Sequence, residues 1–154
     1  MAKKTIAVAR LAPALEALLE VVIKIFGLAV IYVIFEAVGK WLIGEGFRTD
    51  TLLSLVVLPS IYVLKDSYTI FEPFFVKIYL GEENVTVETG ILTKNLDSLN
   101  LQTVENVEII TSPLGRLRGY STLHVYSYGS WVELPHVKSP LLVKDIIESA
   151  IIRP

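Results

Sequence analysis

The side chains best suited to chemistry in this chain are few and scattered. There are two histidines and no cysteine, so thiolate catalysis, disulfides and cysteine-ligated metal sites are excluded. His124 lies in a run typical of a strand, and His136 follows a proline in a predicted loop. The paired carboxylates Glu82 and Glu83 lie in a predicted turn, where general acid–base catalysis would lack an apolar pocket. No HExxH, GxSxG, Walker-type or GxGxxG spacing occurs. We therefore expect no catalytic, cofactor-binding or metal site, and a protein that is not an enzyme.

A second group of side chains suits an interface better than a reaction. Tyrosine, tryptophan and histidine combine apolar area with polar tips, as protein interfaces require. The candidate interface residues are His124, Tyr126, Tyr128 and Trp131 on one predicted sheet face, and Arg116 and Arg118 in a separate turn that could contact a lipid headgroup or a partner. Two alternatives stay open: the aromatic residues could pack beneath a loop or against membrane helices, and the arginines could lie in a solvated turn.

Composition places these residues in a membrane-associated protein. Of 154 residues, 53% are hydrophobic and 19% are charged, whereas soluble domains carry about 25% charged residues. The net charge of −2 excludes a strongly basic nucleic-acid-binding protein. The apolar excess is concentrated in residues 14–71, and the remainder alternates between apolar and polar residues. We therefore predict two regions, the first buried in lipid and the second folded around its own core.

The first apolar run predicts a membrane helix with charged residues near its ends. Residues 25–35 are uncharged, and a length sufficient to span requires 21–40, which includes Lys24 and Glu36. Each would lie about 9 Å from the bilayer midplane, from which a lysine can extend to the interface. Lys40 follows Glu36 by one helical turn and can pair with it. The alternative is that Lys24 or Glu36 lines a polar pathway or contacts another subunit.

The second apolar run predicts a second span, although it is shorter. Residues 51–64 are uncharged and would cover about 21 Å as a helix, less than the roughly 30 Å of hydrocarbon. Extension to Phe71 includes Lys65 and Asp66, and Pro59 would kink the helix. A re-entrant or interfacial helix is the alternative. The glycine-broken connector 44–50 suits a tight helical hairpin.

Charge asymmetry predicts how the chain is oriented in the membrane. Lys3, Lys4 and Arg10 are not balanced by early acidic residues, so the positive-inside rule places the N-terminus in the cytoplasm. Two spans return the remaining chain to the same side. We therefore predict a multi-pass protein of the cell membrane, with a cytoplasmic tail (1–13), a two-helix hairpin (14–72) and a cytoplasmic C-terminal domain (73–154). A single span would invert that last placement.

The residue pattern of the C-terminal region predicts six or seven short strands followed by a helix. The predicted strands are 74–80, 85–89, 92–101, 104–110, 122–128 and 131–134, with a turn-rich segment at 112–119. Ser139 and Pro140 are typical of a helix start, and apolar residues recur at helical spacing after them. This order predicts a small antiparallel barrel or sandwich that a terminal helix covers.

The residues from about Phe74 to Ile152 resemble the bacterial pleckstrin-homology-like domain of small two-span membrane proteins. The resemblance is carried by 85–92, 99–107 and 112–120, in which Leu-Gly-Arg-Leu is the most specific piece, and by the helix at Pro140. Ser121 stands where the family pattern often has glycine. The resemblance implies an α+β membrane protein: a transmembrane hairpin, then a PH-like barrel or sandwich with a C-terminal helix.

These observations favour an interaction module. Phosphoinositide binding would need lysine and arginine in the first hairpin loop, but residues 81–84 offer two glutamates instead. We expect a membrane-anchored assembly module that forms a homo-oligomer or a small accessory subunit of a larger membrane complex. The first alternative is a lipid- or small-ligand-binding module at the membrane surface. The second is a membrane hydrolase or transport component that uses Lys24, Glu36 or His124.

Overall fold

The computed structural model describes residues 4–44 and 49–151, without the side chains of 43, 49–55 and 58. The chain forms two compact units. The sheet unit combines the described residues of Met1–Ala14 and Phe71–Pro154, and the helical unit is Leu15–Ile70. The second boundary between the units falls between Ile70 and Phe71. The N-terminal segment differs from its prediction, since it belongs to the sheet unit.

The helical unit contains most of the long apolar helix that the composition predicts. Helix α1 (Leu11–Ile43) has 33 residues and would extend about 50 Å. Its segment Leu11–Leu42 is, within the described residues, long and apolar enough to cross a membrane. Helix α2 (Thr49–Asp66) contains Pro59 and is followed by a 3₁₀ turn, Ser67–Ile70. Most of the predicted connector lies outside the described residues.

The sheet unit contains seven strands in two antiparallel sheets. The four-stranded sheet has the order β1-β2-β3-β4 and the three-stranded sheet the order β5-β6-β7. Its helices are α3 (Glu72–Phe75), α4 (Pro113–Arg118) and α5 (Pro140–Ile151). The strands are β1 (Lys4–Ile6), β2 (Lys77–Leu80), β3 (Asn84–Thr89), β4 (Asn95–Asn100), β5 (Val104–Ile110), β6 (Tyr120–Ser127) and β7 (Ser130–Lys138). The antiparallel sheets and the C-terminal helix agree with the predicted α+β fold.

The N-terminal segment is a strand of this unit, which corrects the prediction of a tail at 1–13. Strand β1 pairs with β2, so that Ile6 lies opposite Ile78. The same segment then reaches the other sheet, where the backbone N–H of Ala9 donates to the carbonyl of His136 at 2.7 Å. Ile6 is buried and belongs to the core. The sequence gives no periodic signal here because the strand has three residues, of which one is buried.

The core lies between the two sheets and α5. Apolar residues alternate along β6, so Leu123 and Val125 are fully buried while their neighbours face outward. Helix α5 adds Val143 and Ile147 to the same cluster. The terminal helix therefore covers core residues through its apolar stripe, as its sequence pattern predicts.

Three local predictions need correction. The predicted strand 74–80 begins with the helical turn α3, which follows from proline at its start. The turn-rich 112–119 contains α4, which the Ser112 side chain caps by accepting from the N–H of Gly115 at 3.0 Å. Strand β7 continues beyond 134 to Lys138, so His136 lies in a strand and not in a loop. It occupies an irregularity of the β6–β7 pairing with φ 55°.

Candidate interaction surface

The outer surface of β5, β6 and β7 brings together aromatic and acidic side chains. Because inward and outward positions alternate along β6, burial of Leu123 and Val125 turns His124 and Tyr126 outward. The antiparallel register then sets neighbours beside them on β5 and β7. We call Glu108, His124, Tyr126, Trp131 and Glu133 the aromatic–acidic face.

The central row of this face alternates carboxylate, imidazole and carboxylate. His124 lies opposite Glu108 on β5 and opposite Glu133 on β7. Both glutamates are exposed. Within the described part of the chain, neither forms an ion pair with lysine or arginine. The face therefore presents two carboxylates without a salt bridge to a lysine or arginine that the structure describes.

The adjoining row supplies the aromatic area. Tyr126 lies opposite Trp131, and Trp131 is 55% exposed. The phenol of Tyr126 donates to Oε2 of Glu108 at 3.0 Å and lies 3.4 Å from Nδ1 of His124. The hydrogen bond to the Glu108 carboxylate raises the pKa of Tyr126, since it stabilises the protonated phenol. The ring centroids of His124 and Trp131 lie 5.0 Å apart, so contacts connect the side chains of Glu108, Tyr126, His124 and Trp131.

The other predicted interface residues lie off this face. Tyr128 is 79% exposed in the turn between β6 and β7, where Gly129 adopts a φ of 73°. Arg116 and Arg118 lie in α4 and are exposed on either side of Leu117, which is 81% exposed. We call residues 116–118 the Arg-Leu-Arg turn. Neither arginine has an ion-pair partner among the described residues.

Two glutamates that the sequence interpretation did not include complete the face. Glu108 and Glu133 lie beside His124 only because of the strand register. A bulge between Val104 and Asn106 sets the register of β5. Because a shift of one residue turns a strand's side chains to the opposite face, the position of Glu108 depends on this irregularity, whereas Glu133 is set by the pairing of β6 with β7. The alternation of apolar and polar residues in the sequence does not indicate where such a bulge occurs.

The charged residues predicted within the helices are ion-paired. Lys24 forms salt bridges with Glu20, at 2.8 Å, and with Asp66 of α2. Glu36 pairs with Lys40 at 2.8 Å, one helical turn away. The Asp66 contact was not predicted, because it joins two helices that are far apart in the sequence.

Two cavities are lined by residues other than those of the aromatic–acidic face. One, of about 550 Å³, is apolar and lies in the helical unit, lined by residues of α1 and α2 that include Ala29, Tyr32 and Ser60. The other, of about 260 Å³, lies in the sheet unit and is lined by β1, the segment that follows it, and Val76 and Lys77. Arg10 and Lys77 make this second cavity cationic. No cluster of His, Asp and Glu among the described residues has the arrangement of a metal site.

Comparison with known proteins identifies one family. A model described as the bacterial PH domain matches residues 11–149. This match covers the helices as well as most of the sheet unit. No curated protein and no solved structure matches the chain.

Proposed function

Since the chain belongs to the bacterial PH domain family, we propose that it is a non-enzymatic assembly module anchored in a membrane by two helices. In this role it forms a homo-oligomer or serves as a small accessory subunit of a larger membrane complex. PH-like domains are generally binding modules. The observation that carries the proposal is the aromatic–acidic face, an exposed and internally ordered surface in a chain that also has a membrane-length helix.

The pairing of β1 with β2 supports an even number of membrane crossings. Strand β1 precedes α1 and β2 follows α2, yet Ile6 and Ile78 are neighbours in one sheet. A single sheet cannot lie on both sides of a bilayer, so a chain that crosses through α1 must cross back before β2. Helix α2 has 18 residues and would extend about 27 Å, close to the roughly 30 Å of hydrocarbon. It is therefore our candidate for the second span.

The positive-inside rule orients this hairpin. Lys4 and Arg10 lie in the sheet unit beside the start of α1, and basic residues near membrane helices favour the cytoplasmic side. We propose that the sheet unit is cytoplasmic and that the connector after α1 faces the opposite side.

Single cysteines test this topology, because the natural chain contains none. In intact cells, a membrane-impermeant maleimide should label Glu45→Cys in the connector. It should label Tyr128→Cys, which is exposed in the sheet unit, only after the cells are permeabilised. Equal labelling of both positions in intact cells would contradict the two-span topology.

Purification in a mild detergent tests the assembly role. We expect the measured protein mass to exceed that of one chain, either through self-association or through a second protein that travels with it. Trp131→Ala should reduce that association, whereas Leu92→Ala, which removes an even more exposed apolar side chain elsewhere in the sheet unit, should not. A homogeneous monomer without any co-purifying protein would contradict the proposal.

The cationic cavity favours a second candidate function, the binding of an anionic lipid headgroup. Arg10 and Lys77 line it directly before α1 and at the start of β2. Guanidinium and ammonium groups bind phosphates. If this function holds, the full-length protein should retain anionic phospholipid through purification, and Arg10→Gln with Lys77→Gln should lose it. Lys144→Gln on α5 is the matched control. Equal lipid retention by all three proteins would exclude the site.

A further inference from the structure

We propose that the aromatic–acidic face binds the Arg-Leu-Arg turn of a second copy of this chain. The inference rests on the proposed assembly role and specifies the partner and the surface. It joins the face around His124 to residues 116–118, two exposed features of the sheet unit that differ in charge.

The backbone of the Arg-Leu-Arg turn is preorganised for binding because contacts fix it at both ends. The side chain of Ser112 caps the start of α4. Gly115 is buried against Tyr120, where a Cβ atom would lie 2.5 Å from the Tyr120 carbonyl oxygen. Gly119 ends the helix with φ 72°. A turn held in this way loses little conformational freedom on binding.

Helical geometry separates the two arginines around the leucine. Consecutive residues of a helix are rotated by about 100°. Arg116 and Arg118 therefore diverge on opposite sides of Leu117. The turn presents a cationic group, an apolar group and a second cationic group in sequence. Leu117 is 81% exposed, so its burial in a contact would remove apolar surface from water.

The aromatic–acidic face has the complementary order. Glu108 and Glu133 lie on the two outer strands with His124 between them. Neighbouring strands are about 4.8 Å apart, so the two carboxylates are separated by roughly twice that distance. Two extended arginine side chains on either side of a leucine can reach carboxylates at this spacing. The exposed ring of Trp131 beside the central row offers apolar area for the leucine.

The carboxylate acceptors and the exposed indole of this face favour a cationic partner. Glu108 accepts from Tyr126 and still offers lone pairs to an arginine. A bidentate arginine–carboxylate contact is stronger than a neutral hydrogen bond. An exposed tryptophan adds cation–π attraction for any arginine above its ring. An acidic or neutral partner would gain neither contact.

Each copy carries both surfaces, so the contact can form a closed assembly. In a two-fold dimer the turn of each copy binds the face of the other, and in a ring each copy binds the next. Membrane anchoring would place all copies in one plane with the same orientation, which favours closed assemblies over filaments that leave the membrane.

Charge exchange tests the contact in the full-length protein in mild detergent. The turn variant carries Arg116→Glu and Arg118→Glu, and the face variant carries Glu108→Arg and Glu133→Arg. Sedimentation should show that each variant alone associates at least tenfold more weakly than the natural chain. A mixture of the two variants should recover association, since the acidic turn of one meets the basic face of the other.

Two controls separate a lost contact from lost folding. Lys144→Glu on α5 and Glu82→Arg in the β2–β3 turn change charge elsewhere on the sheet unit and should leave association unchanged. A variant with all four exchanges should associate like the natural chain, which a misfolded protein would not do. Association of the turn variant at natural strength would overturn the proposal, as would failure of both the mixture and the four-exchange variant to associate.

The result also distinguishes this inference from the proposed function. A natural chain that is monomeric but co-purifies with a different protein would overturn self-docking and leave the assembly role intact. A chain that is monomeric and travels alone would overturn both.

Discussion

Truncation of Ile6 tests the N-terminal strand, on which the argument for two spans depends. Ile6 is 8% exposed and packs in the core, while Thr5 in the same strand faces solvent. Ile6→Ala removes three carbon atoms from that core, which corresponds to about 2.5 kcal/mol at roughly 0.8 kcal/mol per carbon. An edge strand can partly close the cavity, so we expect about 2–3 kcal/mol, near the lower end for such substitutions. Thr5→Ala should cost less than about 0.5 kcal/mol.

Tryptophan fluorescence can follow this change in the sheet unit alone. The chain has two tryptophans, of which Trp41 lies in α1 and Trp131 in β7. A Trp41→Phe background leaves Trp131 as the reporter. For a domain of this size, each kcal/mol shifts the melting temperature by about 4–8 °C. Ile6→Ala should therefore lower it by roughly 10–20 °C, and Thr5→Ala by a few degrees at most.

Comparison of the two melting temperatures shows whether β1 is part of the folded core. If Ile6→Ala and Thr5→Ala melt at the same temperature, residue 6 contributes nothing to the stability of the core and β1 does not stabilise the sheet. The argument that the chain crosses the membrane an even number of times would then lose its basis. A low melting point for Ile6→Ala alone would support β1 as a strand of the folded unit.

Three further substitutions test the packing and the charges of the sheet unit. Gly115→Ala would place a Cβ atom 2.5 Å from the Tyr120 carbonyl and should lower the free energy of unfolding by about 1–3 kcal/mol, measured by thermal unfolding. Lys94 lowers the pKa of Glu88 mainly through a hydrogen bond, so this pair stabilises the fold above the unfolded pKa of Glu88 and loses its effect in acid. Lys94→Gln should therefore melt below the natural chain at neutral pH, and the difference should close as the pH falls through the lowered pKa of Glu88. Burial raises the pKa of Glu72, so the fold loses stability as the pH rises through that pKa and the side chain becomes charged. Glu72→Gln should therefore melt at a higher temperature than the natural chain at neutral pH. The difference in melting temperature should shrink in acid. Equal melting of each variant and the natural chain across this pH range would refute the respective argument.

Regular elements were predictable where local pattern and tertiary packing agree. Alternation along β6 follows directly from the burial of every second residue. Helix α5 begins at Pro140, where the sequence indicates a helix start, and its apolar stripe meets the core through Ile147. In both cases the side-chain period and the buried face carry the same information.

The remaining features depend on contacts that no local pattern encodes. Helix α4 has an N-cap, a first-turn proline and a glycine after its end, but its six residues are too few to show a period. The aromatic–acidic face needed the register of three strands, and a bulge in β5 changes that register. The three predicted members His124, Tyr126 and Trp131 lie together. Glu108 and Glu133 join them only through pairing.

The order of synthesis gives the N-terminal strand a further consequence. Strand β1 is made before α1, but its partner β2 follows both helices. The pairing of Ile6 with Ile78 therefore cannot form until α1 and α2 have been synthesised. Contacts between residues far apart in sequence form slowly, because the intervening chain must first be brought together. A helical pair that has inserted with both outer ends on one side holds those ends close, which lowers this cost. A chain with only one inserted helix would keep β1 away from its sheet and leave Ile6 and the edge of β2 exposed. The pairing of β1 with β2 is therefore consistent with the proposed topology, in which both parts of the sheet unit lie on the same side of the membrane.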